Sequence, residues 1–177
     1  MAHEQSIQKF YRTAQARDFA RNFSFRVHTI MDRGTEIVSQ DDLVYITTAN
    51  IPGRTITALP MPYMGLDFQL PGAAKYENSS AWPVTFRADG SNIIRSLFER
   101  WTFLTFDDQT STGTYRLYQD SIIRLTQLDQ DLNPLPERYK LIGVFPTSVG
   151  SLGYEVTGNG DPINLEVSFA YQYWVKE

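Results

Sequence analysis

The sequence has 177 residues, 42% of them hydrophobic and 14% aromatic, which suits one globular domain with a real core and excludes a disordered chain. It contains no cysteine, which excludes a disulfide framework and thiolate metal sites. A formal net charge of −4 and a pI near 5.2 argue against an adhesive surface for nucleic acid, and the absence of a leader-like or membrane-length apolar run predicts a soluble protein made in a cytoplasm.

Residues 3–16 predict an amphipathic helix, with Ile7, Phe10, Tyr11 and Ala14 at i, i+3, i+4 and i+7. That apolar face either packs on its own domain or forms an arm laid on a neighbouring subunit. Residues 22–29 predict a strand, with Phe23, Phe25 and Val27 on one side and Asn22, Ser24, Arg26 and His28 on the other. A turn at 31–34 and a polar connection at 36–42 lead to a β-branched run, 43–49, that reads as a second strand.

Residues 51–62 (IPGRTITALPMP) combine turn chemistry at Pro52-Gly53 with Pro60 and Pro62, which cannot donate to a ladder and so predict an extended edge or a loop. Arg54, Met61, Tyr63 and Met64 then sit on or beside a loop-like segment. The apolar ones either cap the domain's own core or mark a contact surface. Residues 64–70 alternate briefly and are expected to end at Pro71-Gly72-Ala73-Ala74, and a polar loop over 75–80 precedes a strand with Trp82, Val84 and Phe86 on one face.

Asp89 is positioned to cap a helix opened by Gly90-Ser91, in which Ile93, Ile94, Leu97, Phe98 and Trp101 form a buried stripe and Arg95, Glu99 and Arg100 the outer side. Residues 107–114 read as a polar loop, 115–128 as a long β-prone stretch bent near Gln119-Asp120, and 129–136 as a connection. Residues 138–174 read as two strands. The last places Leu165, Val167, Phe169, Tyr171 and Tyr173 on one face and Glu166, Ser168, Ala170 and Gln172 on the other. The expected class is α+β and mainly β, with seven or eight strands, one central helix and one terminal helix.

No reactive constellation assembles from these residues. His3 and His28 lack metal-ligand spacing, which argues against zinc. Residues 129–133 open like a calcium loop, but Pro134 replaces the required glycine and Lys140 the closing glutamate. The pairs Asp41-Asp42 and Asp107-Asp108 lie on polar loops, where adjacent carboxylates point apart and stay solvated. No nucleophile elbow or phosphate loop is present, so neither catalysis nor a cofactor or metal is expected. Arginine outnumbers lysine twelve to four without forming a basic run, a composition that leans towards ordered ion pairs with protein partners.

Several segments, in order, resemble the tail tube proteins of contractile-tailed bacteriophages of the T4 type. They are Asp18-Phe19-Ala20-Arg21 followed by a strand, a threonine-rich strand leading into a Pro-bearing segment over 45–64, and the Trp82-x-Val84-x-Phe86 strand running to Asp89. The helix ending in Arg100-Trp101 follows, then Gly143-Val144-Phe145-Pro146-Thr147-Ser148-Val149-Gly150 and the terminal Tyr171-Gln172-Tyr173-Trp174. The resemblance extends from about Asp18 onwards, and related tubes occur in type VI secretion and phage-like particles. It implies two packed antiparallel sheets, sandwich- or barrel-like, flanked by one helix, with an N-terminal helical arm over 1–20 and a tube domain over 21–177.

The resemblance further implies hexameric rings stacked into a hollow tube of the virion tail, assembled in the host cytoplasm. A sheath surrounds such a tube, baseplate or initiator and terminator proteins hold its ends, and DNA passes along the lumen without specific binding. The resemblance implies no membrane anchor. The N-terminal segment and the segment 51–64 would touch the next ring, which makes Phe10, Tyr11, Arg54, Met61, Tyr63 and Met64 the candidate interface residues. Two other readings stay open. One is a tube initiator of the same fold in the baseplate; the other is a β-rich ligand-binding module, which would show a concave aromatic patch on a monomer.

Overall fold

The computed structural model describes residues 7–16, 20–113, 120–129 and 131–177. Its first elements are α1 (Ile7–Ala16), β1 (Phe25–Asp32), β2 (Thr35–Glu36), a 3-10 turn at Asp42–Tyr45, β3 (Ile46–Ala49), β4 (Arg54–Tyr63), β5 (Leu66–Tyr76) and β6 (Trp82–Arg87). Then come α2 (Ile93–Thr105), the two-residue bridges β7 (Phe106–Asp107) and β8 (Thr112–Gly113), β9 (Ile122–Leu128), β10 (Pro134–Ile142), β11 (Phe145–Val149), β12 (Asn164–Ala170) and β13 (Tyr173–Lys176). Antiparallel pairing builds a five-stranded sheet in the order β13-β10-β9-β1-β2 and a four-stranded sheet in the order β11-β12-β6-β3. The fold is α+β and mainly β, two sheets with a helix beside them, and neither sheet closes into a barrel.

One hydrophobic cluster joins these layers. The four-stranded sheet contributes Trp82, Val84, Phe86, Leu165, Val167 and Phe169, and the five-stranded sheet contributes Val27, Ile30, Ile123, Leu125 and Leu141. Helix α2 adds Ile94, Phe98 and Trp101 at i, i+4 and i+7. Phe98 meets Phe169 edge to face at 5.7 Å and lies tilted against Phe86 at 5.0 Å, and Trp101 lies tilted against Phe169 at 5.9 Å. The helix begins where Asp89 predicts, since its carboxylate accepts from the backbone N–H of Ile93 and Ile94. Ile93 departs from the expected stripe and is exposed, because the i, i+4, i+7 face is narrower than the apolar run.

The expected final strand proves to be two strands in different sheets. β12 pairs in the four-stranded sheet, and after Tyr171-Gln172 the chain enters the five-stranded sheet as β13. Its partner makes the same crossing in reverse, because β10 lies beside β13 and β11 beside β12. The ribbon formed by residues 139–149 and 167–176 thus turns a corner from one sheet to the other. Leu165, Val167, Phe169 and Tyr171 face the core as expected, whereas Tyr173 is exposed beyond the corner and Ala170 is buried at it.

The Gly143-to-Gly150 motif is explained by this corner. Gly143 takes a left-handed φ of 70° where the chain turns, a conformation glycine adopts without a Cβ penalty. Pro146 lies in β11, an edge strand, where a missing N–H is tolerated. Thr147 is the extra residue of a bulge, and its hydroxyl donates to the Ser168 carbonyl at 3.1 Å. A Cβ at Gly150 would lie 2.8 Å from the Glu166 carbonyl oxygen, so only glycine permits that approach.

Other expectations change for identifiable reasons. The first strand starts at Phe25, not Asn22, and a bulge at His28 shifts its phase, so that Val27 and Ile30 face the core while Phe23 is exposed. The turn is only Arg33-Gly34, both at positive φ, and Met31 and Asp32 remain in the strand. The front of the 43–49 run coils into the 3-10 turn and only Ile46–Ala49 is strand. Residues 107–114 include the bridge β7–β8, whose turn is held by the Asp107 carboxylate accepting from the Gln109 N–H and the Thr110 hydroxyl. Of the 115–128 stretch, Ile122–Leu128 is strand, and the bend near Gln119 falls outside the described residues. The 129–136 connection is shorter than expected, since Asp129 closes a tight turn by accepting from the N–H groups of Asp131 and Asn133 and β10 starts at Pro134.

Phe169 touches Trp82, Phe98 and Trp101, at the junction of both sheets and the helix. Phe169→Ala should cost about 3–5 kcal/mol, read as a lower urea midpoint at unchanged m-value.

Candidate assembly surfaces

The segment expected to be a loop at 51–64 is one arm of a hairpin. β4 and β5 pair along their full length and, among the described residues, hydrogen-bond to no third strand, so both strands are edges and their prolines remove no needed donor. Pro60 stands opposite Gln69 and Pro62 opposite Asp67. The Pro71-Gly72-Ala73-Ala74 stretch does not end the strand either. A bulge opposite Thr57 absorbs an extra residue, and Gly72 passes so close that a Cβ there would lie 2.8 Å from the Thr57 carbonyl oxygen.

Register settles which side chains share a face. Leu59 pairs with Leu70, Met61 with Phe68 and Tyr63 with Leu66, and paired residues at alternate positions lie on one side of a ribbon. Six large apolar side chains therefore form a continuous strip, and all six are exposed. The opposite face carries Ala58, Pro60, Pro62, Asp67, Gln69 and Pro71. At the tip, Met64 (φ 51°) and Gly65 (φ 80°) make the two-residue turn with both φ positive. A left-handed methionine costs about 1–2 kcal/mol relative to the right-handed form, yet its side chain is 86% exposed and buries nothing in return.

The hairpin is seated firmly only at its root. Tyr76 meets Trp174 edge to face at 6.2 Å, and Tyr139 meets the same indole at 5.6 Å. The Trp174 indole N–H donates to the Gly53 carbonyl at 3.4 Å, the Glu77 N–H donates to that carbonyl at 3.1 Å, and the Tyr171 hydroxyl donates to the Glu77 carbonyl. Trp174 and Tyr171 belong to the corner of the crossing ribbon, so the corner also fixes where the hairpin leaves the body.

The candidate residues distribute as follows. Met61 and Tyr63 lie on the apolar strip, Met64 at the tip, and Arg54 at the root, paired in register with Tyr76. Tyr11 is exposed on α1, as is Ile7, whereas the Phe10 side chain lies outside the described residues. Sequence reasoning missed Leu59, Leu66, Phe68 and Leu70, four of the six residues of the strip. The alternation of 64–70 was a signal, but only cross-strand register joins it to Met61 and Tyr63.

A second feature emerges from arginines that look scattered in sequence. Arg26, Arg124, Arg138 and Lys140 share the outer face of the five-stranded sheet, as their pairing through Thr126 shows. Glu177 lies among them, its carboxylate accepting from Lys140 at 2.9 Å and Arg124 at 3.1 Å. Those hydrogen bonds, with Lys140 foremost, hold its carboxyl below the usual glutamate range. Nearby, burial, then Arg138 and Arg26, push the His28 imidazole below its ordinary pKa, favouring the neutral form.

Among the described residues no three His, Asp or Glu side chains are grouped to hold a metal, and no helix is long and apolar enough to cross a membrane. The calcium-like stretch at 129–133 uses its first carboxylate to close its own turn. The hollow between β2 and α2 is lined by Asp32, Arg33, Glu36 and Arg100, with the Asp32 carboxylate accepting from the buried Ser121 hydroxyl at 2.6 Å, a structural tie.

Comparison with known proteins agrees with this architecture. The family model described as phage tail tube protein matches residues 14–177. The tail tube proteins gp19 of Enterobacteria phages T4 and T6 are each 22% identical over 165 residues, spanning 92% of this chain and 95% of theirs. Among solved structures, a chain of the anti-feeding prophage baseplate superposes with a TM-score of 0.59 at 13% identity, covering 90% of this chain and 95% of its own length. A chain of the extended sheath–tube complex of an extracellular contractile injection system gives 0.55 at 14% identity, covering 94% and 96%.

Two outcomes follow from the geometry. Trp174→Ala should speed amide exchange across residues 54–76 while the exchange of β6 and β12 changes little, read by hydrogen–deuterium mass spectrometry. The Glu177 carboxyl should titrate below the ordinary 4.5 in the folded chain, so its tie stabilises the fold above that value and is lost as pH falls through the lowered one; carbon-detected NMR reads the midpoint.

Proposed function

The chain belongs to the phage tail tube protein family and is a structural component of a tail tube, and from that premise we propose how its surfaces assemble. Copies close hexameric rings, and rings stack into a hollow tube inside a contractile sheath, with baseplate and terminator proteins at its ends. The observation that carries this reading is the hairpin β4–β5, whose exposed apolar strip is too large for a lone chain and suits a neighbour. Residues 1–20 act as an arm and 21–177 as the tube domain. Phe10, Tyr11, Arg54, Met61, Tyr63 and Met64 lie at contacts between rings. The open edges of both sheets, β13 and β2 on one and β11 and β3 on the other, are available to join neighbouring subunits around the lumen.

The tube is assembled in the host cytoplasm and becomes part of the virion tail. Its lumen passes DNA without specific binding, and the subunit has no enzymatic role. A tube initiator in the baseplate is the second reading, favoured by the similarity of fold to a baseplate chain. The ligand-binding module loses support because Trp82 and Trp101 are buried and Trp174 is taken up in the hairpin root, which leaves no tryptophan for an open aromatic patch.

The test is assembly with and without tail seeds, imaged by negative-stain electron microscopy. The wild-type chain should give hollow tubes of uniform bore. The double variant Met61→Glu/Tyr63→Glu and a chain lacking residues 1–20 should stay as single folded particles. Both replaced side chains are exposed, so stability should move by only about 0.5 kcal/mol or less each. Normal tube yield from the double variant would remove the hairpin from the interface.

A further inference from the structure

A surface that fits the apolar strip lies at the opposite end of the four-stranded sheet. Register fixes the polarity: β6 and β12 pair as Trp82 with Phe169 at one end and Arg87 with Asn164 at the other. β3 runs past Ala49, opposite Val84, towards the hairpin, so the hairpin leaves from the Trp82 end. At the Arg87 end three segments lie side by side. They are the 3-10 turn leading into β3, residues 88–92 between β6 and α2, and residues 150–163 between β11 and β12.

This end is apolar at its tips and acidic at its rim. Val44, Ile93, Tyr154 and Val156 are exposed, Val156 completely. Asp42, Asp89, Glu155 and Asp161 belong to the same three segments, Asp41 immediately precedes the first, and none of the five is in an ion pair among the described residues. The hairpin root carries Arg54 and Lys75, which likewise have no carboxylate partner there. Dimensions agree as well. Five residues of strip at about 3.3 Å each span about 15 Å, and four strands about 4.8 Å apart span about the same.

We propose that the hairpin of one copy lies across the Arg87 end of the next copy, its apolar strip on Val44, Ile93, Tyr154 and Val156 and its root cations towards the acidic rim. The inference rests on the tube reading. A hairpin-to-hairpin contact is isologous and would close a pair, whereas this contact joins two different surfaces and propagates.

The absence of cysteine makes a clean test possible in the full chain. Met61→Cys and Val156→Cys are prepared singly, assembled with tail seeds alone and mixed, and treated with a short bis-maleimide. A crosslinked dimer should form in the mixture and not in either single sample, and Val156→Asp should abolish tubes while leaving the circular dichroism spectrum unchanged. Tubes that form without the mixed crosslink, or that form normally from Val156→Asp, overturn this inference and leave the tube reading standing. A crosslink in the Met61→Cys sample alone overturns it in favour of hairpins meeting hairpins. A wild-type chain that forms neither rings nor tubes with seeds overturns the tube reading, and this inference with it.

Discussion

Everything in this fold depends on one crossing, where the paired strands β10–β11 and β12–β13 pass together from one sheet to the other. Backbone hydrogen bonds latch the corner: the N–H groups of Gly143 and Val144 both donate to the Ser121 carbonyl, at 3.0 and 3.3 Å, and the Gln172 N–H donates to Ile142 at 3.0 Å. Because a ribbon cannot slide in one sheet without moving in the other, the two sheets hold one relative position. That position defines the core into which Phe98 and Trp101 insert. It also supplies Tyr171 and Trp174, the side chains on which the hairpin is seated.

The hairpin shows why such a chain is built to associate. An isolated two-stranded ribbon is marginal in water, because neither face is covered. Fully burying a large apolar side chain is worth about 1.5–3 kcal/mol, and six of them lie on one face of β4–β5. Those six are about half exposed on the free chain, so covering the whole strip offers an amount comparable with the loss of translational and rotational freedom when a subunit docks, estimated at about 4–15 kcal/mol. The same strip exposed on a free subunit would be an aggregation hazard. Prolines at 60, 62 and 71 blunt it, since they remove donors from both hairpin edges.

Local chemistry was legible in the sequence, and non-local pairing was not. The Asp89 cap, the Ile94, Phe98 and Trp101 face of α2 and the inward run Leu165, Val167, Phe169 and Tyr171 are legible because each depends on residues a few positions apart, although Ile93 falls outside the buried face. Alternation continues smoothly through Tyr171 to Tyr173, so nothing in the pattern marks the change of sheet. The bulge at His28 reversed the phase of β1 for the same reason, its cause being a partner strand almost a hundred residues away. Pro60 and Pro62 argued rightly against a central strand, but that rule does not distinguish a loop from a hairpin with two free edges. The tip was hidden too, since Met64 occupies a left-handed position that usually holds asparagine or glycine. Met61 and Tyr63 stood out as apolar residues near prolines, whereas Leu66, Phe68 and Leu70 joined them only through register.

The central claim is that the hairpin is a contact between copies. Hydrogen–deuterium exchange of residues 54–76, compared between free subunits and assembled tubes, tests it most directly. The account predicts rapid exchange along the distal hairpin in the free chain and strong protection in the tube, with the β6–β12 core protected alike in both. Equal exchange of the distal hairpin in the two states would contradict it.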